Sequence, residues 1–194
     1  MKITYYGHSC FTLESDGFVI ALDPYNDMVP GYGDLKLSAN KVYCSHGHLD
    51  HAYTDAVERI PADRPSPFIV EELELPHDDA GGSKRGFTFV RMFTAEGKTV
   101  VHYGDLGCAL PDGDSDLFRG ADVALVPVGG VFTIDGQGAL ELIERTKPVL
   151  AIPMHYRKGD QGLRPVAELS DFLKLCEGRD VNVKVLEYGE SYTI

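Results

Sequence analysis

The sequence predicts an α/β chain of the α+β kind, with a sheet-on-sheet core and helices packed outside it. Three observations carry this reading. Short runs rich in β-branched and aromatic residues fill most of the first third. Two continuous apolar runs, Ala121 to Val128 and Val149 to Met154, have the composition of strands buried on both faces. Helix-spaced segments then flank those later strands.

Taken in order, Lys2 to Tyr6, Cys10 to Glu14 and Gly17 to Leu22 read as a meander of strands, with Ser15-Asp16-Gly17 as a hairpin turn. Asp23-Pro24-Tyr25 ends the third strand, and 26 to 40, with its glycines and Pro30, reads as a loop able to border a site. Lys41 to Cys44 is a further strand, and Ala52 to Ile60 has helical spacing stopped by Pro61. Phe68 to Leu75, Gly86 to Phe93 and Lys98 to Tyr103 are expected strands, with Glu96-Gly97 as a turn. Helices are expected over Ala139 to Thr146 and Pro165 to Cys176, the latter begun by its proline, and strands over Val181 to Leu186 and Ser191 to Ile194. No repeat, low-complexity tract or linker interrupts the 194 residues, so a single domain over 1–194 is expected.

Composition narrows the partners. With 18 Lys and Arg against 30 Asp and Glu, the net charge of -12 repels phosphate backbones and anionic membranes, which disfavours a nucleic-acid partner. The N-terminal stretch Met1 to His8 has no apolar leader run, and no segment is long enough to cross a bilayer. Cys10, Cys44, Cys108 and Cys176 are scattered with no C-x-x-C pair, as for buried reduced thiols. A cytoplasmic protein without membrane contact is the expectation; oligomeric state leaves no trace in the sequence.

The densest chemistry lies at His46-Gly47-His48-Leu49-Asp50-His51, directly after an expected strand. In an extended segment alternate side chains share a face, so His46 and His48 can address one metal while Asp50 and His51 reach a second. Four such side chains packed this closely would repel and desolvate one another without a ligand to hold. They cannot complete two coordination spheres alone, because an open zinc site takes about three protein ligands plus water. His77, Asp105 and His155 each follow a strand-like run and are candidates for the remainder. A carboxylate such as Asp105 can serve two cations with its two oxygens. Taken singly, His77 also reads as a loop histidine, Asp105 as a turn former before glycine and His155 as a strand-end residue. Asp78 and Asp79, beside His77, are alternative donors.

The six-residue cluster resembles the H-x-H-x-D-H signature of the metallo-β-lactamase superfamily, and the order Asp23, cluster, His77, Asp105, His155 is similar to that family's order of site residues. More narrowly, Gly7-His8-Ser9-Cys10-Phe11, His77-Asp78-Asp79 with Arg85-Gly86, Gly104-Asp105-Leu106-Gly107, Pro127-Val128-Gly129-Gly130 and Pro153-Met154-His155-Tyr156 resemble its small single-domain branch of ascorbate-6-phosphate lactonase-like hydrolases. The resemblance implies a four-layer αββα sandwich. It also implies one metal held by His46, His48 and His77 and a second by Asp50, His51 and His155, with Asp105 shared and Asp23 orienting a ligand.

The function implied is that of a metal-dependent hydrolase acting through the hydroxide of a dinuclear site. Two Zn2+ per chain are expected, with Mn2+ or Fe2+ accepted by the same nitrogen and oxygen donors. The cations leave a net positive pocket, which suits a small anionic ester, lactone or phosphodiester. Asp50 is also a candidate proton carrier, and His8 is a second candidate catalytic residue that could hydrogen-bond substrate or a ligand carboxylate. Lys84, Arg85, Arg157 and Lys158 lie beside the expected ligands and could bind an anionic group, while Gly129-Gly130 could bring backbone to substrate or serve a turn. His102 alternates away from Asp105 and is left outside the site. Two other classes fit the same donors: a non-enzymatic metal- or ligand-binding protein, and an iron-dependent redox enzyme.

Overall fold

The computed structural model describes residues 1–194. Its core is formed by two five-stranded sheets. The first contains β1 (Lys2–Tyr5), β2 (Phe11–Ser15), β3 (Phe18–Leu22), β5 (Lys41–Tyr43) and β12 (Ser191–Thr193), in the order β12-β1-β2-β3-β5. The second contains β7 (Ile69–Pro76), β8 (Phe87–Ala95), β9 (Lys98–His102), β10 (Val123–Pro127) and β11 (Leu150–Met154), in the order β11-β10-β9-β8-β7.

Side-chain alternation in the first sheet sends Ile20 and Leu22 into the main core with Ile3, Phe11 and Leu13, and sends Ala21 to the opposite face. There a smaller apolar cluster of Cys10, Tyr25, Val29, Leu35, Leu37 and Val57 covers the sheet. The second sheet is covered by α2 (Gly136–Thr146), which contributes Ala139, Leu142 and Ile143, and by α3 (Leu169–Cys176), which contributes Leu169 and Phe172. Every residue of β10 and β11 is buried, which is why both read as unbroken apolar runs. They run parallel and are joined through α2, whose first turn is capped by Asp135 accepting from the Gly138 amide at 2.8 Å.

Both hairpins follow their local chemistry. Asp16-Gly17 and Glu96-Gly97 have φ of 48° and 74°, and 55° and 70°, the paired left-handed geometry that matches strand twist.

Four expectations are corrected. The helix over 52–60 is absent: one 3-10 turn, Thr54–Ala56, leads into β6 (Val57–Arg59), which pairs in parallel with β4 (Leu37–Ala39) inside the expected loop. Pairing Leu37 with Val57 buries both in the smaller cluster, a gain the local spacing could not reveal. Val181 to Leu186 is no strand; it touches the sheet at one bridge, Val183 to Ala151, although Val181, Val183 and Val185 pack on the core. The last helix begins at Leu169, because Val166 N donates to Leu163 O in a turn and the backbone of Ala167 is engaged elsewhere, its N donating to Gly129 O and its O accepting from Arg157 N. A short α1 (Asp114–Leu117) was not foreseen. The four thiols are unpaired, and no helix is long and apolar enough to cross a membrane.

Candidate metal centre

Strand direction gathers the site. In the first sheet β1, β3 and β5 share one direction, since β2 runs antiparallel to both β1 and β3 and β5 is parallel to β3. In the second, β7, β9, β10 and β11 likewise share one direction. His8 follows β1, Asp23 β3, the His46–His51 segment β5, His77 β7, Asp105 β9 and His155 β11. Each therefore lies just past the C-terminal end of a strand, and the two sheets meet there through His155 N donating to His8 O at 3.0 Å and Phe89 N to Ser45 O at 2.8 Å.

Six of the seven histidines converge at this edge. Donor atoms of His46, His48 and His77 lie within 4.8 Å of one another, as do those of His8, Asp50, His51 and His155. Asp105 joins His46 and His51 in a third such set, placing its carboxylate between the other two. Its Oδ1 is 3.2 Å from His51 Nε2, and its Oδ2 is 3.5 Å from His77 Nε2 and 3.3 Å from His155 Nε2.

Two facts test whether these residues fit a cation. First, His8 Nδ1 and Nε2, His51 Nε2, His155 Nδ1 and Nε2 and Asp105 Oδ1 are buried with no hydrogen-bond partner, a cost a protein sustains only where something else meets those atoms. The close approaches of Asp50 and Asp105 to His8, His51 and His155 form no hydrogen bonds at these atoms. Second, separations of 3.2 to 3.6 Å among Asp50, Asp105, His8, His51 and His155 match the ~3.4 Å between neighbouring donors about 2.0–2.1 Å from a tetrahedral zinc. The donor set fits.

The electrostatics agree. Burial, aided by the neighbouring His155 ring, lowers the His8 imidazole to about 3. Burial and His51 lower His46 to about 4, so both rings are uncharged near neutrality. Burial opposes charge on His51, but Asp105 and Asp23 outweigh it and raise its pKa. Burial would likewise raise Asp105, yet His155 and His51 hold it well below the carboxylate range. The carboxylates thus favour positive charge at this point, which a cation would supply.

Asp23 orients rather than lines the centre. Its carboxylate accepts from the Ser45 amide at 2.6 Å, the Ser45 hydroxyl at 2.5 Å and His51 Nδ1 at 2.8 Å, turning His51 Nε2 inward. Asp23, His8 and His155 all sit in the left-handed region, with φ of 44°, 53° and 54°. Such backbone strain gathers at sites that the surrounding fold over-determines. His102 stands outside, its ring held by Ser9 O at 3.0 Å and the Gly104 amide at 3.1 Å.

A pocket of about 550 Å³ opens onto His48, Asp50, His77 and Asp105, with Arg85 and Phe132 on its wall. Asp50 retains 17% side-chain exposure, whereas His8 has none and lies behind it. Of the four cations flagged by sequence, Lys84 pairs with Asp79, Arg157 with Glu168 and Lys158 with Glu187, all at 2.6 Å. Arg85 has no carboxylate partner, and its guanidinium lies 5.5 Å over the Phe132 ring.

Sequence reasoning missed what presents Arg85. Asp78 is no substitute ligand: its Oδ1 accepts from the amides of Ala80 and Gly82, and its Oδ2 from those of Lys84 and Arg85, all at 2.8 to 2.9 Å. Asp79 faces solvent beside Lys84. The signal was an Asp before Gly81-Gly82, a turn-forming pattern. Gly129 serves the ligand strand rather than a substrate, since a Cβ there would lie 2.1 Å from His155 O.

Comparison with known proteins bears on this geometry. Residues 2–155 match the model of the Beta-lactamase superfamily domain. A UPF0173 metal-dependent hydrolase of Desulforamulus reducens is 31% identical over 200 residues, covering 80% of this chain and 84% of the relative. One from Carboxydothermus hydrogenoformans is 30% identical over 234 residues, covering 98% of both. A solved structure from Thermotoga maritima, described as a candidate Zn-dependent hydrolase of the metallo-beta-lactamase superfamily, superposes with a TM-score of 0.71 at 30% identity, covering 95% of this chain and 97% of that one.

Proposed function

This chain belongs to the metallo-β-lactamase superfamily, among its metal-dependent hydrolases, and on that premise we propose that it hydrolyses a small anionic ester, lactone or phosphodiester at a paired zinc centre. The observation that supports this best is the pair of donor sets divided by the Asp105 carboxylate at the floor of an open pocket. His46, His48 and His77 would hold an outer cation, and Asp50, His51 and His155 an inner one, with Asp105 serving both. When bound, two divalent cations supply an activated water near neutral pH and stabilise the negative charge that develops on a carbonyl or phosphoryl oxygen.

The chain's own residues do the rest. Arg85 meets the anionic group of the substrate, because it is the pocket-lining cation not neutralised by a carboxylate. Phe132 and Leu49 on the wall exclude water around the reacting group. Asp50, at once part of the inner set and open to the pocket, can carry a proton to the leaving oxygen. Asp23 keeps His51 in the tautomer that presents Nε2 inward. The openness of the pocket favours catalysis over a purely structural metal, whose site would be closed.

The test is elemental analysis of purified protein coupled to a panel of esters, lactones and phosphodiesters with and without chelator. About two zinc ions per chain and chelator-sensitive turnover of an anionic substrate are expected. Metal-replete protein inert across the panel would overturn the reading, and iron with a redox signature would replace it by the oxidoreductase alternative.

A further inference from the structure

His8 is the one histidine at this edge that the paired-cation ligand scheme leaves unused, and it is as fully buried as His51 and His155. It has no exposed surface, and neither ring nitrogen has a hydrogen-bond partner. Its Nε2 lies 3.4 Å from Asp50 Oδ2, too poorly aligned for a hydrogen bond. The ring stands 4.2 Å from that of His155 and 5.0 Å from that of His51, centroid to centroid.

The backbone fixes that position from several sides. Cys10 N donates to Gly7 O at 2.8 Å, and Tyr6 N to Cys10 O at 2.8 Å, closing the turn between β1 and β2. The His8 carbonyl accepts from His155 N at 3.0 Å and from the Tyr5 hydroxyl at 3.4 Å. Gly7 admits no side chain, since a Cβ would lie 2.7 Å from the Tyr32 ring. A turn this constrained, carrying a non-glycine residue at φ 53°, holds an imidazole where solvent and substrate cannot reach it.

We propose that His8 is a further protein donor to the inner cation, beside Asp50, His51, His155 and the shared Asp105, and that the inner site consequently fills before the outer one. The inference rests on the paired-metal reading above. Its basis is the donor set: the four atoms lie mutually within 4.8 Å, and three of the four residues are fully buried. Besides the shared Asp105, the outer set offers three histidines, of which only His77 is buried while His48 is exposed. More donors, held more rigidly and further from competing water, give the tighter site.

The experiment titrates metal-free protein with Zn2+ against a chromophoric chelator while following histidine 15N resonances. Two steps are expected, the first at least about tenfold tighter than the second. The His8, His51 and His155 nitrogens should shift with the first equivalent, and those of His46, His48 and His77 with the second. His8→Asn, chosen because asparagine tolerates the left-handed backbone, should weaken the first step by at least about tenfold and leave the second in place. The inference is overturned if His8 nitrogens are unmoved by the first equivalent, if the two steps are equal, or if folded His8→Asn binds as the parent does. The 15N measurement on the parent protein decides the matter even where the variant fails to fold. Parent protein that takes up no Zn2+ would instead sink the paired-metal reading itself.

Discussion

Asp23 and His51 are joined by a buried 2.8 Å contact between Oδ2 and Nδ1, at a point where neither residue has access to solvent. This contact fixes which ring nitrogen faces Asp105. Asp23→Ala is expected to weaken metal binding by about 10–100-fold while leaving the donor residues intact. Zinc competition measures this, and an unchanged affinity would mean that packing alone orients His51.

Asp105→Ala and His48→Ala are each expected to abolish turnover while the far-ultraviolet circular dichroism is retained. Asp105 stands between the two donor sets, and His48 is an exposed donor whose loss removes no core packing. Substantial residual turnover in either would separate the chemistry from this cluster.

Arg85→Ala is expected to raise KM for an anionic substrate by roughly 10–100-fold, the equivalent of a lost charged hydrogen bond. A neutral ester of similar size should be little affected, so the ratio of the two specificity constants is the measurement. Equal losses on both substrates would make Arg85 a structural support for Phe132.

Asp78 governs the loop that carries Arg85. Burial pulls its carboxyl pKa up, but amides of Arg85, Ala80, Lys84 and Gly82 outweigh this and hold it at about 2. A folded-state value below the unfolded one means the stabilisation is present above the ordinary aspartate pKa and is lost as pH falls from there toward 2. The amide signals of 80–85 are therefore expected to broaden over that window in the parent protein, and to be pH-independent there in Asp78→Asn. A carboxyl midpoint near the ordinary value would contradict the amide cradle.

Much of this was legible where chemistry is local. Asp16-Gly17 and Glu96-Gly97 announced their hairpins through a glycine that accepts positive φ, and β10 and β11 announced themselves because burial on both faces leaves no polar position. The aspartate and histidines after strand-like runs do converge at one edge, because shared strand direction brings those ends together. The parallel pair β4 and β6 was hidden because three-residue strands have no periodicity to read and their gain lies in each other. The valines of 181–185 alternate like a strand, yet their backbone meets β11 at one residue. The seclusion of His8 behind Asp50 and the engagement of Asp78 by four amides depend on chain paths that residue spacing does not encode.

The donors come from both sheets. His8 and the His46–His51 segment issue from the first sheet, with Asp23 behind them, while His77, Asp105 and His155 issue from the second. A cation seated among them is therefore a clasp between two halves of the molecule, able to form only after both have docked. Metal-stripped protein should accordingly breathe along the seam between its sheets, with amide hydrogens of β5 and β9 exchanging faster while those within α2 keep their protection.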